Sequence, residues 1–401
     1  MVAFLIKLFI MFVVVSCSNQ NDIIKTNDRI EYIENNLIEF ISPANMLNPD
    51  SSQIANPKTL KERMNHYNTP GVSIAVISNN DIEWAKGYGS MDNEVVGPVS
   101  TETIFEAAST SKFVTAVLAL NFVQKGLIDL DKNVNDYLQS WKIPENEFTQ
   151  VEEVTLRRLL THKAGLPSTN FSHDDSIAYP TLLNVLNGTS PAMNAPAIPE
   201  LIPGSQWQYS NVAYDVIQLI IEDISGKSFE ENAKDIIFNP LGMTSSTFVY
   251  PLESEMIKYE AMPHDADGNS LEPSMHLTAL AHGGLLTTPT DLAKFTNEIM
   301  LSFKGKSEKI LSQETTQLLF KNEFDLDPRM FGMPISEGLG ILLIEENNDT
   351  VFAHPGSNLP GLNCWLIGWL EKGNAIIVMT NGAMGEVLAM EIIAVFNQKY
   401  N

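Results

Sequence analysis

The chain has 401 residues, 44% hydrophobic, 18% charged and 8% aromatic, which sets aside disordered, collagen-like and low-complexity proteins. Its length suits two or three domains with a large core that needs no disulfide staples. Lys and Arg number 25 against 49 Asp and Glu, and the resulting net charge of −24 would repel a phosphate backbone, so no nucleic acid is expected as a partner.

Residues 1–16 read MVAFLIKLFIMFVVVS, with Lys7 followed by an apolar run over 8–15. The run is shorter than the roughly 20 residues that span a bilayer and suits the core of a signal peptide. Cys17 stands at the apolar–polar boundary, after Val14-Val15-Ser16, and resembles the acylated cysteine of a bacterial lipobox. The expectation is a signal peptide over 1–16, lipidation of Cys17 and a membrane partner held through that lipid. Residence follows in the bacterial cell envelope, at the outer membrane or in the periplasm. A plain cleaved signal or a short anchor is the alternative. With Cys17 acylated, Cys364 would be a lone thiol, leaving no internal disulfide and no cysteine metal site. It lies in the apolar run 362–370 and reads as buried and inert.

Residues 17–56 are polar and read as a tether or a leading helix, with helical character near 30–41. From Gly71, two apolar runs flank Asn79-Asn80-Asp81, a hairpin signal. The middle of the chain has helical periodicity at 112–124, 156–162, 211–224, 229–238, 290–300 and 312–321, and a Pro-rich loop at 191–203. Strand patterns return at 340–344, 351–354, 363–369 and 375–379. The predicted fold is α/β (α+β): an antiparallel sheet made from both chain ends and flanked by helices, with an inserted all-helical domain. The boundaries are 57–108 and 330–401 for the sheet domain and 109–329 for the helical one. A ligand cleft is expected between them.

There is no G-x-S-x-G, H-E-x-x-H, G-x-G-x-x-G or phosphate-loop motif, and the seven histidines lack metal-ligand spacing. Three short patterns can carry chemistry. The first is Ser109-Thr110-Ser111-Lys112 at a helix entry. Residues three apart in a helix share a face, and a desolvated lysine could accept the serine proton; as plain structure, the serine is a helix cap. The second is Tyr209-Ser210-Asn211, where a tyrosine can move protons and an amide can hold a carbonyl. Its plain reading is an aromatic followed by an Asn cap. The third is His354-Pro355-Gly356-Ser357 at a strand end, otherwise a turn.

In this order, S-x-x-K, Y-x-N and H-x-G resemble the serine β-lactamase and penicillin-binding-protein superfamily. Thr161-His162-Lys163-Ala164-Gly165-Leu166-Pro167, Asn239-Pro240-Leu241-Gly242-Met243-Thr244 and Gly283-Gly284-Leu285-Leu286-Thr287-Thr288-Pro289 are similar to segments of its class C-related branch. The resemblance runs from about residue 57 to 396. It implies Ser109 as nucleophile, Lys112 and Tyr209 as the proton-transfer pair, and Asn211, His354, Gly356 and Ser357 as substrate-binding residues. It implies no metal and no organic cofactor. The implied function is a serine hydrolase acting on a small-molecule or peptide amide or ester, of the esterase or D-amino-acid peptidase kind. The alternatives are a true class C-type β-lactamase or D,D-carboxypeptidase, or a non-catalytic peptidoglycan- or penicillin-binding module. His354 stands where classical enzymes carry lysine, which weakens the attraction for a substrate carboxylate. His162 and His282 read as structural.

Overall fold

Strand β1 (Gly71–Ser78) reads GVSIAVIS and is buried at every position, as a strand covered on both faces must be. It turns through Asn79 and Asn80, both at positive φ (53° and 62°), into β2 (Asp81–Gly89). Asparagine tolerates that region better than most residues, so the predicted hairpin forms where the sequence allows it. The structure is a computed structural model and describes residues 24–39, 56–92, 97–168, 179–273, 278–358 and 361–401. Residues 1–16, expected to be a signal peptide, and Cys17 lie outside the described residues.

The main sheet has eight antiparallel strands. Besides β1 and β2, it holds β5 (Phe324–Asp325), β6 (Ser336–Glu337), β7 (Leu342–Glu346), β8 (Asp349–Asn358), β9 (Leu362–Trp369) and β10 (Asn374–Thr380), in the order β2-β1-β10-β9-β8-β7-β6-β5. The first hairpin therefore docks on the last strand, with Val72 opposite Thr380 and Ile77 opposite Ala375. A separate ribbon pairs β3 (Phe105–Glu106) with β4 (Leu286–Thr287).

The two-residue period of the strands divides the core. Ala75, Ile77, Ile377, Met379, Cys364 and Leu366 face one cluster, shared with α3 (Ser111–Gln124), α5 (Asn211–Ser225) and α6 (Pro289–Phe303). Ile74, Val76, Ile376, Val378, Ile367 and Trp369 face the other, shared with α1 (24–35), α2 (Leu60–His66) and α8 (Gly385–Tyr400). Helix α3 is buried from Ser111 through Phe122, which its nearly unbroken apolar sequence permits. Cys364 is fully buried and its thiol is pushed up to about 12 by desolvation, in accord with an inert thiol.

Some boundaries differ from expectation. The described leading helix is 24–35, earlier than 30–41, and it is packed: Ile33 is fully buried, and Arg29 bonds Glu83 of β2 at 3.0 Å. The pattern at 229–238 gives an α-helix over Phe229–Ala233 and a π-helical turn over Lys234–Phe238. Pro240 follows and has no N–H for the carbonyl of residue 236, so the regular ladder cannot continue. Two short helices, α4 (Leu156–Leu160) and α7 (Gln313–Leu319), end a residue or two before the predicted limits. Across the second core, Arg63 of α2 pairs with buried Glu391 of α8 at 2.6 Å, and Tyr67 donates to the same carboxylate at 2.7 Å. No helix among the described residues is long and apolar enough to cross a membrane.

Candidate active site

The chain leaves β3, where Ala107 N–H donates to Leu285 O at 2.8 Å, and enters a 3₁₀ turn at Ala108–Thr110 before α3. Ala108 has φ of 46°, an uncommon value for a residue with a Cβ. Ser109 thus sits in the turn and not in the helix, as the spacing alone had suggested. A 3₁₀ turn eclipses positions three apart, and Lys112 Nζ lies 3.1 Å from Ser109 Oγ.

Two anchors fix this turn. Thr110 Oγ1 donates to His354 O at 3.0 Å, and Leu285 N–H donates to Ser111 Oγ at 3.0 Å. Gly356 of β8 passes so close that a Cβ there would stand 2.2 Å from Ala107 O, and glycine is required by this approach.

Lys112 is fully buried. Its ammonium also donates to His282 O at 2.6 Å and lies 5.0 Å from the Tyr209 ring centroid and 5.6 Å from that of Tyr214. The His282 ring is held by Asp215 of α5 at 2.7 Å. Gln218, one turn further along α5, accepts from Leu280 N–H at 2.7 Å and from Ala281 N–H at 3.2 Å. Helix α5 therefore shapes the turn that offers Lys112 its carbonyl.

Tyr209 reaches Ser109 Oγ from the other side, its hydroxyl 2.9 Å away. It belongs to an extended segment sewn to the 162–167 turn: Gln208 N–H donates to His162 O at 2.8 Å, and Ser210 N–H to His162 Nδ1 at 3.1 Å. The His162 ring packs against Tyr209 with centroids 4.3 Å apart. The structural reading of His162 is thus extended: it supports Tyr209 and also lines the cavity. Ser210 caps α5, and Asn211 is the first residue of that helix.

A cavity of about 330 Å³ opens beside Ser109, at the small end of the range for small-molecule sites. Its lining brings together Ser109, Tyr209, His354, Gly356 and Ser357, all of them residues that the motifs singled out. Lys112 lies behind Ser109, and neither it nor Asn211 is among the described lining residues. Trp207, Glu337, Leu342 and Glu386 also line it and were not singled out from sequence. Trp207 carried a usable signal: in an extended segment, positions two apart share a side, so Trp207 goes with Tyr209. Glu337 and Glu386 carried none, because their place depends on the register of β6 and the start of α8.

Burial governs the charges. His354 is pulled down to about 3 by desolvation and then by the nearby Lys112 ammonium. His162 falls well below its ordinary value by desolvation, then by Lys112 and His354. Desolvation pushes the Glu337 carboxyl well above the usual range and raises Glu386 as well. Trp207 Nε1 donates to Glu337 Oε2 at 3.3 Å. At neutral pH both imidazoles are uncharged.

A buried lysine and a tyrosine converging on one serine oxygen, beside strand β8 of an antiparallel sheet, define a class of serine acyl-transfer fold. The chain belongs to the Beta-lactamase family, whose sequence model matches residues 57–395. It is 30% identical over 221 residues to Protein flp of Staphylococcus aureus (strain MW2), covering 55% of this chain and 42% of that protein. It is 27% identical over 237 residues to Penicillin-binding protein 4 of Amycolatopsis lactamdurans, covering 57% of this chain and 59% of the relative. The alignment thus spans about two-fifths of the length of the first of these relatives and under two-thirds of the second. Among solved structures, the octameric penicillin-binding protein homologue from Pyrococcus abyssi superposes with a TM-score of 0.71 at 27% identity, over 84% of this chain and 75% of that one. The D-alanine carboxypeptidase AmpC from Burkholderia cenocepacia shares the fold, with a TM-score of 0.66 at 19% identity over 84% and 96% of the two chains. Membership of this superfamily supports a serine-hydrolase-like function.

Proposed function

We propose that the protein is a serine hydrolase that acts through an acyl-enzyme on an amide or ester, in the bacterial envelope. The observation that carries this reading is the meeting at Ser109 Oγ of Tyr209 OH at 2.9 Å and Lys112 Nζ at 3.1 Å, beside an open cavity. Ser109 Oγ attacks the substrate carbonyl carbon, and its proton passes to the Lys112–Tyr209 pair, in the form with one proton fewer (neutral amine or phenolate). By family analogy, the N–H groups of Ser109 and Ser357 hold the oxyanion, each worth roughly 3–4 kcal/mol. The intermediate collapses, the bond to the amine or alcohol breaks, and the pair returns the proton to that leaving group. Water then attacks the acyl-enzyme with Tyr209 as base. The acid leaves and Ser109 regains its proton. His354 would orient the substrate from the cavity lining, and Asn211, outside the described lining, would do so only by family analogy. The lipobox pattern at Cys17 supports attachment to a membrane by lipid.

The test is intact-mass spectrometry of the protein after mixing with a penicillin and, separately, a p-nitrophenyl ester. An adduct that forms and clears is expected, and it should be missing from Ser109→Ala. Turnover retained by a pure Ser109→Ala preparation would remove Ser109 from the mechanism.

A further inference from the structure

Part of the cavity's lining is built from titratable groups that the acyl-transfer steps do not use. His354 is 7% exposed, and its Nδ1 lies 2.9 Å from Pro355 O. A carbonyl only accepts, so Nδ1 carries the proton and Nε2 keeps a lone pair. Nε2 is the ring nitrogen left to meet a ligand, and it can meet only a donor.

Glu337 is 3% exposed and engages Trp207 Nε1 through Oε2. Glu386 stands half-buried on the same cavity. The described lining holds these two carboxyls, two neutral imidazoles and no lysine or arginine. Trp207, which bonds Glu337 and whose ring centroid lies 6.3 Å from that of Tyr209, adds an aromatic ring to this lining, and an indole face attracts a cation. Lys112 is committed behind Ser109 to a serine oxygen and a carbonyl. An incoming carboxylate would meet an acceptor nitrogen and two acidic groups. An ammonium would meet a lone pair, two carboxyls and an indole. Burial raises both carboxyls in the empty cavity, Glu337 the more strongly, and a bound cation would favour their ionised form.

We propose that this wall selects substrates that present an ammonium group close to the scissile amide or ester and rejects those that present a carboxylate there, with His354, Glu337 and Glu386 as the specificity-determining residues. The proposal rests on the hydrolase reading for its catalytic consequence, but not for binding.

Two measurements keep the readings apart. In the first, Ser109→Ala is titrated calorimetrically with anilides and benzylamides carrying an ammonium, a neutral acetamido group or a carboxylate on either side of the amide bond. The ammonium ligand is expected to bind at least about tenfold tighter than its carboxylate partner on one side of the bond, a gap of about 1.4 kcal/mol. Glu386→Gln and Glu337→Gln in that background should each shrink the ratio severalfold. Circular dichroism checks that both variants are folded, and if Glu337→Gln is not, Glu386→Gln alone decides. In the second, the intact protein is assayed on the matching p-nitrophenyl esters. Equal binding of all three charge types, or tighter carboxylate binding, overturns the proposal even if every ester is hydrolysed. An ammonium preference in binding with no ester turned over supports this wall's role and overturns the hydrolase reading instead.

Discussion

The two walls of the cavity are built on opposite principles. On the Ser109 side, nearly every polar atom near the nucleophile is tied down: Lys112 by Ser109 and His282, Thr110 by His354 O, Ser111 by Leu285, and Tyr209 through the segment that His162 braces. On the His354 side the bonds are few. Glu337 holds one long bond to Trp207, and the His354 ring bonds only its neighbour's carbonyl among the described residues. The first wall spends burial on rigidity, which acyl transfer needs because reacting groups must be in place beforehand. The second leaves desolvated groups with unused hydrogen-bonding capacity, which a ligand can satisfy.

This contrast can be broken by substitution. Tyr209→Phe removes one of the two groups that touch Ser109 Oγ and keeps the ring that packs on His162. Turnover should fall by about 10²–10³-fold with the melting temperature nearly unchanged, the usual scale for general acid–base loss. A rate near that of the parent would place Tyr209 outside the chemistry.

Asp215→Asn acts at one remove, by loosening His282, whose carbonyl receives the Lys112 ammonium. The expected effect is smaller, about tenfold on kcat with KM within about twofold, because only the alignment of Lys112 changes. A change confined to KM would show that the pair acts on substrate binding instead.

The smallest effect concerns pH and sharpens the description of the second wall. A histidine whose folded value lies below its ordinary 6.5 is protonated first in the unfolded chain. Its contribution is therefore full above about pH 6.5 and is lost as pH falls toward about 3. His354→Gln should remove that dependence. Between pH 6.5 and 5 the parent should lose on the order of 1 kcal/mol more stability than the variant, read from denaturant midpoints. Glu337 has the opposite sign, since a raised carboxyl costs stability as pH climbs above its ordinary value. Comparing the two proteins cancels that background. Parallel profiles would mean that His354 is solvated.

Legibility from sequence follows the same division. S-x-x-K and Y-x-N could be read because each is local, a helix entry and a cap; H-x-G was expected at a strand end or turn, but β8 runs on through it to Asn358, paired with β9. The sheet could be read because apolar runs broken by Asn-Asn-Asp and Glu-Lys-Gly announce strands and turns. The 3₁₀ placement of Ser109 was hidden, since three-residue spacing suits either helix. Glu337 and Glu386 were hidden for a deeper reason. Each comes more than a hundred residues after Tyr209, and tertiary register alone brings them to the cavity.

The pairing of β1 with β10 sets a timetable for the molecule's birth. Val72 and Thr380 are neighbours in the sheet yet are roughly three hundred residues apart in the chain, so a ribosome adding about 5–20 residues per second separates their synthesis by some 15–60 seconds. Through that interval the fully buried strand β1 waits with one edge unpaired. The sheet cannot close around β1, and the cavity cannot acquire its His354 wall, until β10 has been made. A chain built this way remains unfinished, and open to handling by chaperones or a translocation machinery, for the whole interval between β1 and β10.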